Sequence, residues 1–189
     1  MIDPSVVMVG LGYIGLPTAA LVAQNKTKVF GVDINPEVVE TINAGKIHIV
    51  EPELDVAVSD AVASGLLKAG TKPVAADTFL IVVPTPFKGK NEPDISFVHA
   101  ATKAVLPFLK EGDLFIIEST SPVGTTEKMR DYIYQERPEL EGNIFIAYCP
   151  ERVLPGNVMY ELVNNDRVIG GIDDESTQKA TDFYSKYVK

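Results

Sequence analysis

The sequence predicts an α/β protein built on a doubly wound, mainly parallel sheet with helices on both faces. Three observations carry that expectation. Apolar runs of four or five residues recur along the chain, and stretches with helical periodicity separate them. The first run, Val6-Val7-Met8-Val9, ends in Gly10-Leu11-Gly12-Tyr13-Ile14-Gly15, and the second, Lys28-Val29-Phe30-Gly31-Val32, is closed by a lone carboxylate, Asp33. Strict alternation of strand and helix selects parallel strands joined by right-handed crossovers.

The opening unit is the most informative. Strand, glycine turn, helix, strand and acid, in that order, are expected of a dinucleotide-binding βαβ unit and give the fold a Rossmann-like character. Gly10 allows the tight turn off the strand, Gly12 removes a Cβ that would block a pyrophosphate, and Gly15 lets the helix from Leu16 to Gln24 pack closely on the sheet. The diphosphate then rests on N–H groups at the helix N-terminus, with no lysine needed. Asp33 can accept from the adenosine ribose hydroxyls and repels a 2′-phosphate, while Ile34-Asn35-Pro36 supplies no arginine to neutralise one, so NAD is expected over NADP. Asn35 is the better N-cap for the helix that begins at Pro36.

The remaining elements follow in order. Helices are expected from Pro36 to Ala44, closed by Gly45, and from Glu51-Pro52 to about Ser64. Phe79 to Val83 reads as a fully buried strand ending at Pro84-Thr85-Pro86, and a polar loop, Lys88 to Asp94, precedes a helix from Ser96 to Leu109. Leu114 to Ile117 is the next strand, followed by a helix from about Glu127 to Gln135. Asn143 to Ala147 and Arg167 to Gly171 complete the strands, and Glu175 to Tyr187 forms an amphipathic helix with Ala180, Phe183, Tyr184 and Tyr187 inward. The sheet divides into two halves near Val83. The 189 residues, 46% of them hydrophobic, suffice for one substantial core, so a single domain over residues 1–189 is expected.

Composition narrows the partners. A net charge of −9 and a pI near 4.7, with no basic run or basic helix face, argue against nucleic acid and against an anionic membrane surface. No apolar stretch reaches the roughly 18 residues of a membrane span and no signal peptide precedes the first strand, so a cytoplasmic protein is expected. Cys149 is the one cysteine, and His48 and His99 lie far apart, so neither a disulfide nor a metal site is expected.

Ligands in such sheets lie beyond the carboxyl ends of the strands. Pro84-Thr85-Pro86 offers a hydroxyl from a rigid turn, or is only a stiffened connection. Ser119-Thr120-Ser121 supplies three hydroxyls that could serve a ligand or merely cap the helix after Gly124. Glu118 is read as a solvated strand terminus, with an active-site acid as the alternative. Glu151 could act as a general base or hold a water, or form an ordinary surface pair with Arg152. Cys149, next to Pro150 at the end of an apolar strand, is read as a buried small side chain and not a nucleophile. His48 and His99 are read as structural or surface residues.

Four linked segments resemble the amino-terminal half of the UDP-glucose/GDP-mannose dehydrogenase family: residues 10–17, Val83-Pro84-Thr85-Pro86, residues 118–126, and Cys149-Pro150-Glu151-Arg152-Val153-Leu154-Pro155-Gly156. The last of these, with Asn165-Asp166-Arg167-Val168-Ile169-Gly170-Gly171, is most similar to the UDP-N-acetyl-D-mannosamine branch. The resemblance implies oxidation of the C6 hydroxyl of a nucleotide sugar to a carboxylate with two NAD per sugar, through an aldehyde caught by a cysteine thiolate and a thioester that is then hydrolysed. It implies that Tyr13, Ile14, Asp33, Thr85 and Thr126 contact NAD beside Gly10, Gly12 and Gly15. Thr120 is then expected to position the reacting water or substrate oxygen, Glu151 to serve in thioester hydrolysis, and Arg152 and Val153 to line the nucleotide-sugar site. Pro155 stands where UDP-glucose dehydrogenases carry a second glutamate, which favours a UDP-N-acetylhexosamine substrate.

The family's nucleophilic cysteine, and the lysine and asparagine that assist it, have no counterparts in this sequence. The chain is therefore expected to be the NAD-binding part of a longer enzyme, without the central helix and sugar-nucleotide domain. It should bind NAD without completing the oxidation, and a homodimer is expected of the longer protein only. Two other readings stay open: a free-standing NAD-binding or NAD-sensing module, and a dehydrogenase of another UDP-sugar such as UDP-N-acetylglucosamine or UDP-glucose. A small hydroxyacid dehydrogenase ranks below both, for want of a lysine or histidine proton donor at a strand end.

Overall fold

A computed structural model describes residues 4–89 and 91–189. Among these residues, seven strands form one sheet. They are β1 (Val6–Val9), β2 (Val29–Val32), β3 (Leu67–Gly70), β4 (Thr78–Ile81), β7 (Leu114–Ile117), β8 (Phe145–Tyr148) and β9 (Gly170–Gly171), while β5 (Phe87–Lys88) and β6 (Glu92–Pro93) make a separate two-stranded ribbon. The order across the sheet is β3-β2-β1-β4-β7-β8-β9, parallel except for β9, so the strand order reverses between β1 and β4. That is the doubly wound arrangement expected from the alternation of elements.

Period-two alternation along each strand feeds two cores, one on either face. Val6, Met8, Leu114 and Ile116 face a layer containing α1 (Gly15–Gln24), α2 (Pro36–Asn43), α3 (Leu54–Ala63), α6 (Val158–Asn164) and α7 (Asp174–Tyr184). Val7, Val9, Phe115 and Ile117 face α4 (Ser96–Val105) and α5 (Thr125–Glu136). Asn35 caps α2 by accepting from the Glu37 amide at 2.9 Å, with Pro36 at the first helical position as expected. Asp173 caps α7 in the same way through the Ser176 amide at 2.7 Å.

Several elements differ from expectation. Leu67–Gly70 is an edge strand that the apolar pattern does not reveal, because only Leu67 and Ala69 are buried while Lys68 faces solvent. The Asn43 side chain clamps it, accepting from the Ala69 amide at 2.9 Å and donating to the Ala69 carbonyl at 3.0 Å. The expected strand Arg167 to Gly171 pairs only at Gly170–Gly171, and antiparallel, because Arg167 turns inward to other partners. The helix expected to reach Leu109 ends at Val105, and a 3-10 turn takes over at Leu106–Phe108, where Pro107 has no N–H to continue the ladder. Helix α6 occupies residues for which no element was expected.

The register sets up the site. Val9 pairs with both Val32 and Ile81, Ile81 pairs with Ile117, and Ile117 pairs with Tyr148, so the carboxyl ends of five parallel strands stand in one row. The residues that follow them are therefore neighbours in space.

Candidate functional site

A cleft of about 820 Å³ opens over that row, at the point where strand order reverses. Its lining includes Gly10, Gly12, Tyr13, Ile14, Asp33, Thr85, Thr120 and Glu151, contributed by five separate strand ends. Eighteen or more residues separate these segments in sequence, and the parallel register unites them. Ile34, Pro73, Phe97 and a row of alanines on α4 complete a mainly apolar wall.

The glycine turn is built by steric exclusion. Gly10 has φ +96°, a left-handed conformation, and a Cβ there would overlap the Val82 carbonyl. A Cβ on Gly15 would overlap the Gly10 carbonyl, so Gly15 seats the start of α1 against the turn itself more than against the sheet. Gly12 has open space where its Cβ would be, on the side of the cleft. Asp33 holds this turn in place: Oδ2 accepts from the Leu11 amide at 3.1 Å and Oδ1 from the Asn35 amide at 2.9 Å. Each carboxylate oxygen retains a lone pair for a ligand hydroxyl. No acidic side chain lies in the first turn of α1, so nothing there opposes an anion. The unfilled space at Gly12, the helix N-terminus and the acid beyond β2 together fit a dinucleotide bearing a free ribose diol.

Two further loops are tied to each other. The Thr85 hydroxyl donates to the Thr120 carbonyl at 2.6 Å. Ser119 is a clamp within the sheet, since its hydroxyl donates to the Val83 carbonyl at 2.7 Å and accepts from the Val83 amide at 2.9 Å. Thr120 is exposed and lines the cleft. Thr126, in the first turn of α5, and Gly15, buried at the start of α1, lie outside the cleft lining.

Glu151 does not pair with the side chain of Arg152. Its Oε1 accepts from the Arg152 amide at 2.7 Å, and its Oε2 lies 2.8 Å from Arg167 Nη1, without the alignment of a hydrogen bond. The Arg152 guanidinium is exposed and donates to the Asp166 carbonyl at 2.7 Å, and Val153 packs against the core. The charged partner of Glu151 thus comes from sixteen positions downstream, a pairing that no local spacing signals.

Glu118 corrects an expectation outright. It is 1% exposed, not a solvated strand end, and it lines the cleft beside Glu151. Oε1 accepts from the Tyr184 hydroxyl at 2.5 Å and lies 3.7 Å from Arg167 Nη1. Burial pushes its pKa up to about 7, against the opposing pull of Arg167. Burial also works against the charge of Arg167, but the carboxylates of Glu118 and Glu151 more than offset it and raise its pKa. The Cys149 thiol, wholly buried, is pushed up to about 11 by burial and by Glu118, which removes it as a nucleophile.

Glu51 is the other residue that the motifs did not reveal. It is 4% exposed and accepts from the Tyr13 hydroxyl, from the Gly156 amide at 2.8 Å and from the Val158 amide at 3.4 Å. A Glu-Pro pair ahead of a helix reads as an ordinary helix start, and only the tertiary fold turns this side chain inward. Among the described residues there is no group of three or more His, Cys, Asp or Glu side chains that could hold a metal, and no helix long and apolar enough to cross a membrane. His48 is exposed, and His99 stacks on Tyr132 with ring centroids 4.3 Å apart.

Comparison with known proteins places this geometry. Residues 4–188 match the model of the NAD binding domain of the UDP-glucose/GDP-mannose dehydrogenase family. A UDP-N-acetyl-D-mannosamine dehydrogenase of Yersinia pestis is 56% identical over 96% of this chain and 45% of its own length. An NDP-N-acetyl-D-galactosaminuronic acid dehydrogenase of Ralstonia nicotianae is 52% identical over the same shares. The solved structure of a Staphylococcus aureus UDP-N-acetyl-mannosamine dehydrogenase superposes with a TM-score of 0.91 at 39% identity, covering 97% of this chain and 45% of that one. The chain thus spans a little under half the length of the curated relatives it matches. Its glycine turn, its acid and its row of strand ends are those of a shared fold, and the chain belongs to the UDP-glucose/GDP-mannose dehydrogenase family as its NAD-binding domain.

Proposed function

We propose that this chain is the cofactor-holding part of a nucleotide-sugar 6-dehydrogenase whose substrate is a UDP-N-acetylhexosamine, with UDP-N-acetyl-D-mannosamine preferred. One observation carries the reading: the dinucleotide elements, Gly12 and Asp33, and the polar groups of the sugar-side loops, Thr120 and Glu151, open into the same cleft. A sensor of NAD occupancy has no need of the second set. The names of the Yersinia and Ralstonia relatives, both acting on N-acetylated sugars, support the substrate class, and Pro155 in place of a second glutamate agrees with it.

NAD, when bound, supplies the hydride acceptor for each of the two oxidation steps. The chain's own residues do the rest of the work on this side of the cleft. The N-terminus of α1 and the side-chain-free face of Gly12 receive the diphosphate, Asp33 grips the adenosine ribose, and Tyr13, Ile14 and Thr85, which line the cleft, complete the cofactor set there. Thr120, fixed through its carbonyl by Thr85, orients a water or substrate oxygen, and Glu151 accepts the proton of the attacking water during hydrolysis. Arg152 and Val153 flank the nucleotide sugar. The thiolate nucleophile belongs to a further part of the enzyme, and a cytoplasmic homodimer is the assembly in which the longer protein works.

Calorimetry with NAD and NADP tests the cofactor side. NAD should bind at least tenfold tighter than NADP, and Asp33→Ala should weaken NAD and narrow that gap. Equal affinities would overturn the role of Asp33. Turnover of UDP-N-acetyl-D-mannosamine by the 189-residue chain alone would overturn the division of labour.

A further inference from the structure

Glu118 is a buried carboxylate for which this reading has no use, and its Oε2 has no hydrogen-bond partner although the residue lines the cleft. We infer that Glu118 holds the exchangeable proton of this cleft, while Glu151 is fixed beside it by Arg167. The use to which that proton is put rests on the proposed dehydrogenase reading; its location does not.

The charges of the cluster do not balance. One guanidinium, Arg167, faces two carboxylates, and it stands 2.8 Å from Glu151 but 3.7 Å from Glu118. If both acids were ionised, a site largely closed to water would carry one uncompensated negative charge, which is costly. The arrangement relieves that cost by protonating the acid farther from the cation. Glu118 is that acid. Its Oε1 is engaged by the Tyr184 hydroxyl at 2.5 Å, which leaves the buried and unpartnered Oε2 to carry a proton.

The other titratable groups packed around Glu118 do not compete. Cys149 and Glu151 come from the loop after β8, Arg167 from the segment before β9, and Tyr184 from α7. Cys149 and Tyr184 are held neutral by burial, and Arg167 is held cationic by its two carboxylates. Glu118, with a pKa raised by burial to about 7, is the member of the group that changes charge near neutrality. The acid raised by burial and the acid held against the guanidinium can divide the acid and base roles between them. A proton-bearing Oε2–H can donate to a ligand oxygen, and an ionised Glu118 can take such a proton back.

Carbon-13 spectra of the glutamate carboxylates, followed in this chain from about pH 5 to about pH 9, test the inference. One buried signal should titrate with a midpoint near 7, and it should be missing in Glu118→Gln, an isosteric change that keeps an acceptor for Tyr184. Tyr184→Phe removes a donor that favours the ionised form, so the midpoint should move upward. Calorimetry of NAD binding near neutrality, in two buffers of different ionisation enthalpy, should reveal a fractional proton exchange in the native chain and none in Glu118→Gln. A spectrum with no such titration, or one that survives in Glu118→Gln, overturns the inference, as does NAD binding with no net proton exchange. Titration as expected in a chain that does not bind NAD would instead overturn the proposed function and leave the proton where it is placed here.

Discussion

The Tyr13 hydroxyl donates to the Glu51 carboxylate, and the same carboxylate accepts from the amides of Gly156 and Val158. One buried acid thus joins the glycine turn to the loop that follows Glu151, two segments more than 130 residues apart in the chain. The glycine turn and the sugar-side loop therefore behave as one unit. Removing the tyrosine hydroxyl leaves Glu51 with two donors, and Tyr13→Phe should cost about 1–2 kcal/mol of stability. Glu51→Ala strands two amides as well and should cost about 2–4 kcal/mol, with Glu51→Gln retaining part of the loss. Hydrogen exchange at Gly156 and Val158, with denaturant melts, checks both: faster exchange in Glu51→Ala together with weaker NAD binding is expected, because Glu51 lies outside the cleft lining and is joined to it through Tyr13.

Gly15 and Gly12 should respond differently when given a methyl group. At Gly15 the added Cβ overlaps the Gly10 carbonyl, and relieving that overlap requires a backbone shift. Gly15→Ala should therefore lose about 1–3 kcal/mol or more in thermal or chemical unfolding. At Gly12 there is room, so Gly12→Ala should melt with the native chain. Its cost appears only when a diphosphate arrives, as a loss of roughly tenfold or more in NAD affinity, or about 1.4 kcal/mol. A Gly12→Ala chain that binds NAD normally would show that the phosphates do not pass that face.

How much of this was legible beforehand depends on the distance over which each signal acts. The glycine turn, Asp33, the Asn35-Pro36 cap and the five parallel strands whose ends stand in one row are local patterns, each readable because neighbouring residues must satisfy one backbone geometry. Leu67–Gly70 was not, since an edge strand buried on alternate residues, with a lysine and a glycine in it, lacks the apolar run that marks a central strand. Glu118 and Glu51 are not legible in the sequence for a different reason. A glutamate at a strand end or a helix start is usually solvated, and only partners from elsewhere in the chain, Tyr184 and Arg167 for one and Tyr13 and Gly156 for the other, turn them inward. Arg167 falls in a stretch whose pattern predicts a strand, although among the described residues its side chain is the cation shared by both acids of the cleft.

Cys149 offers a test of burial against reactivity. Its thiol is wholly enclosed and raised to about 11, first by burial and then by the neighbouring Glu118. Thiolate is the reactive form, so at about pH 8 almost none is present and little reagent can enter. The native chain should resist iodoacetamide for hours and label fully once denatured. Rapid labelling of the folded chain would show that the segment after β8 opens readily.

The pH dependence of stability should bear the imprint of Glu118. Its ordinary pKa of 4.5 applies in the unfolded chain, and its folded value is about 7, so between these limits the folded state binds a proton that the unfolded state does not. Stability is therefore greatest with Glu118 protonated, and it declines as pH rises from about 4.5 through about 7, by an amount on the order of a few kcal/mol. This is the reverse of the usual carboxylate, which an ion pair depresses and which stabilises the fold as pH rises. Glu118→Gln keeps the shape and the Tyr184 contact but cannot ionise, so its unfolding free energy should be flatter over that window and exceed that of the native chain above pH 7. Melts at half-unit steps of pH would show it. Parallel curves for the two chains would mean that Glu118 carries the same charge in the folded state as in the unfolded one, and that Arg167 alone offsets the cost of burying it.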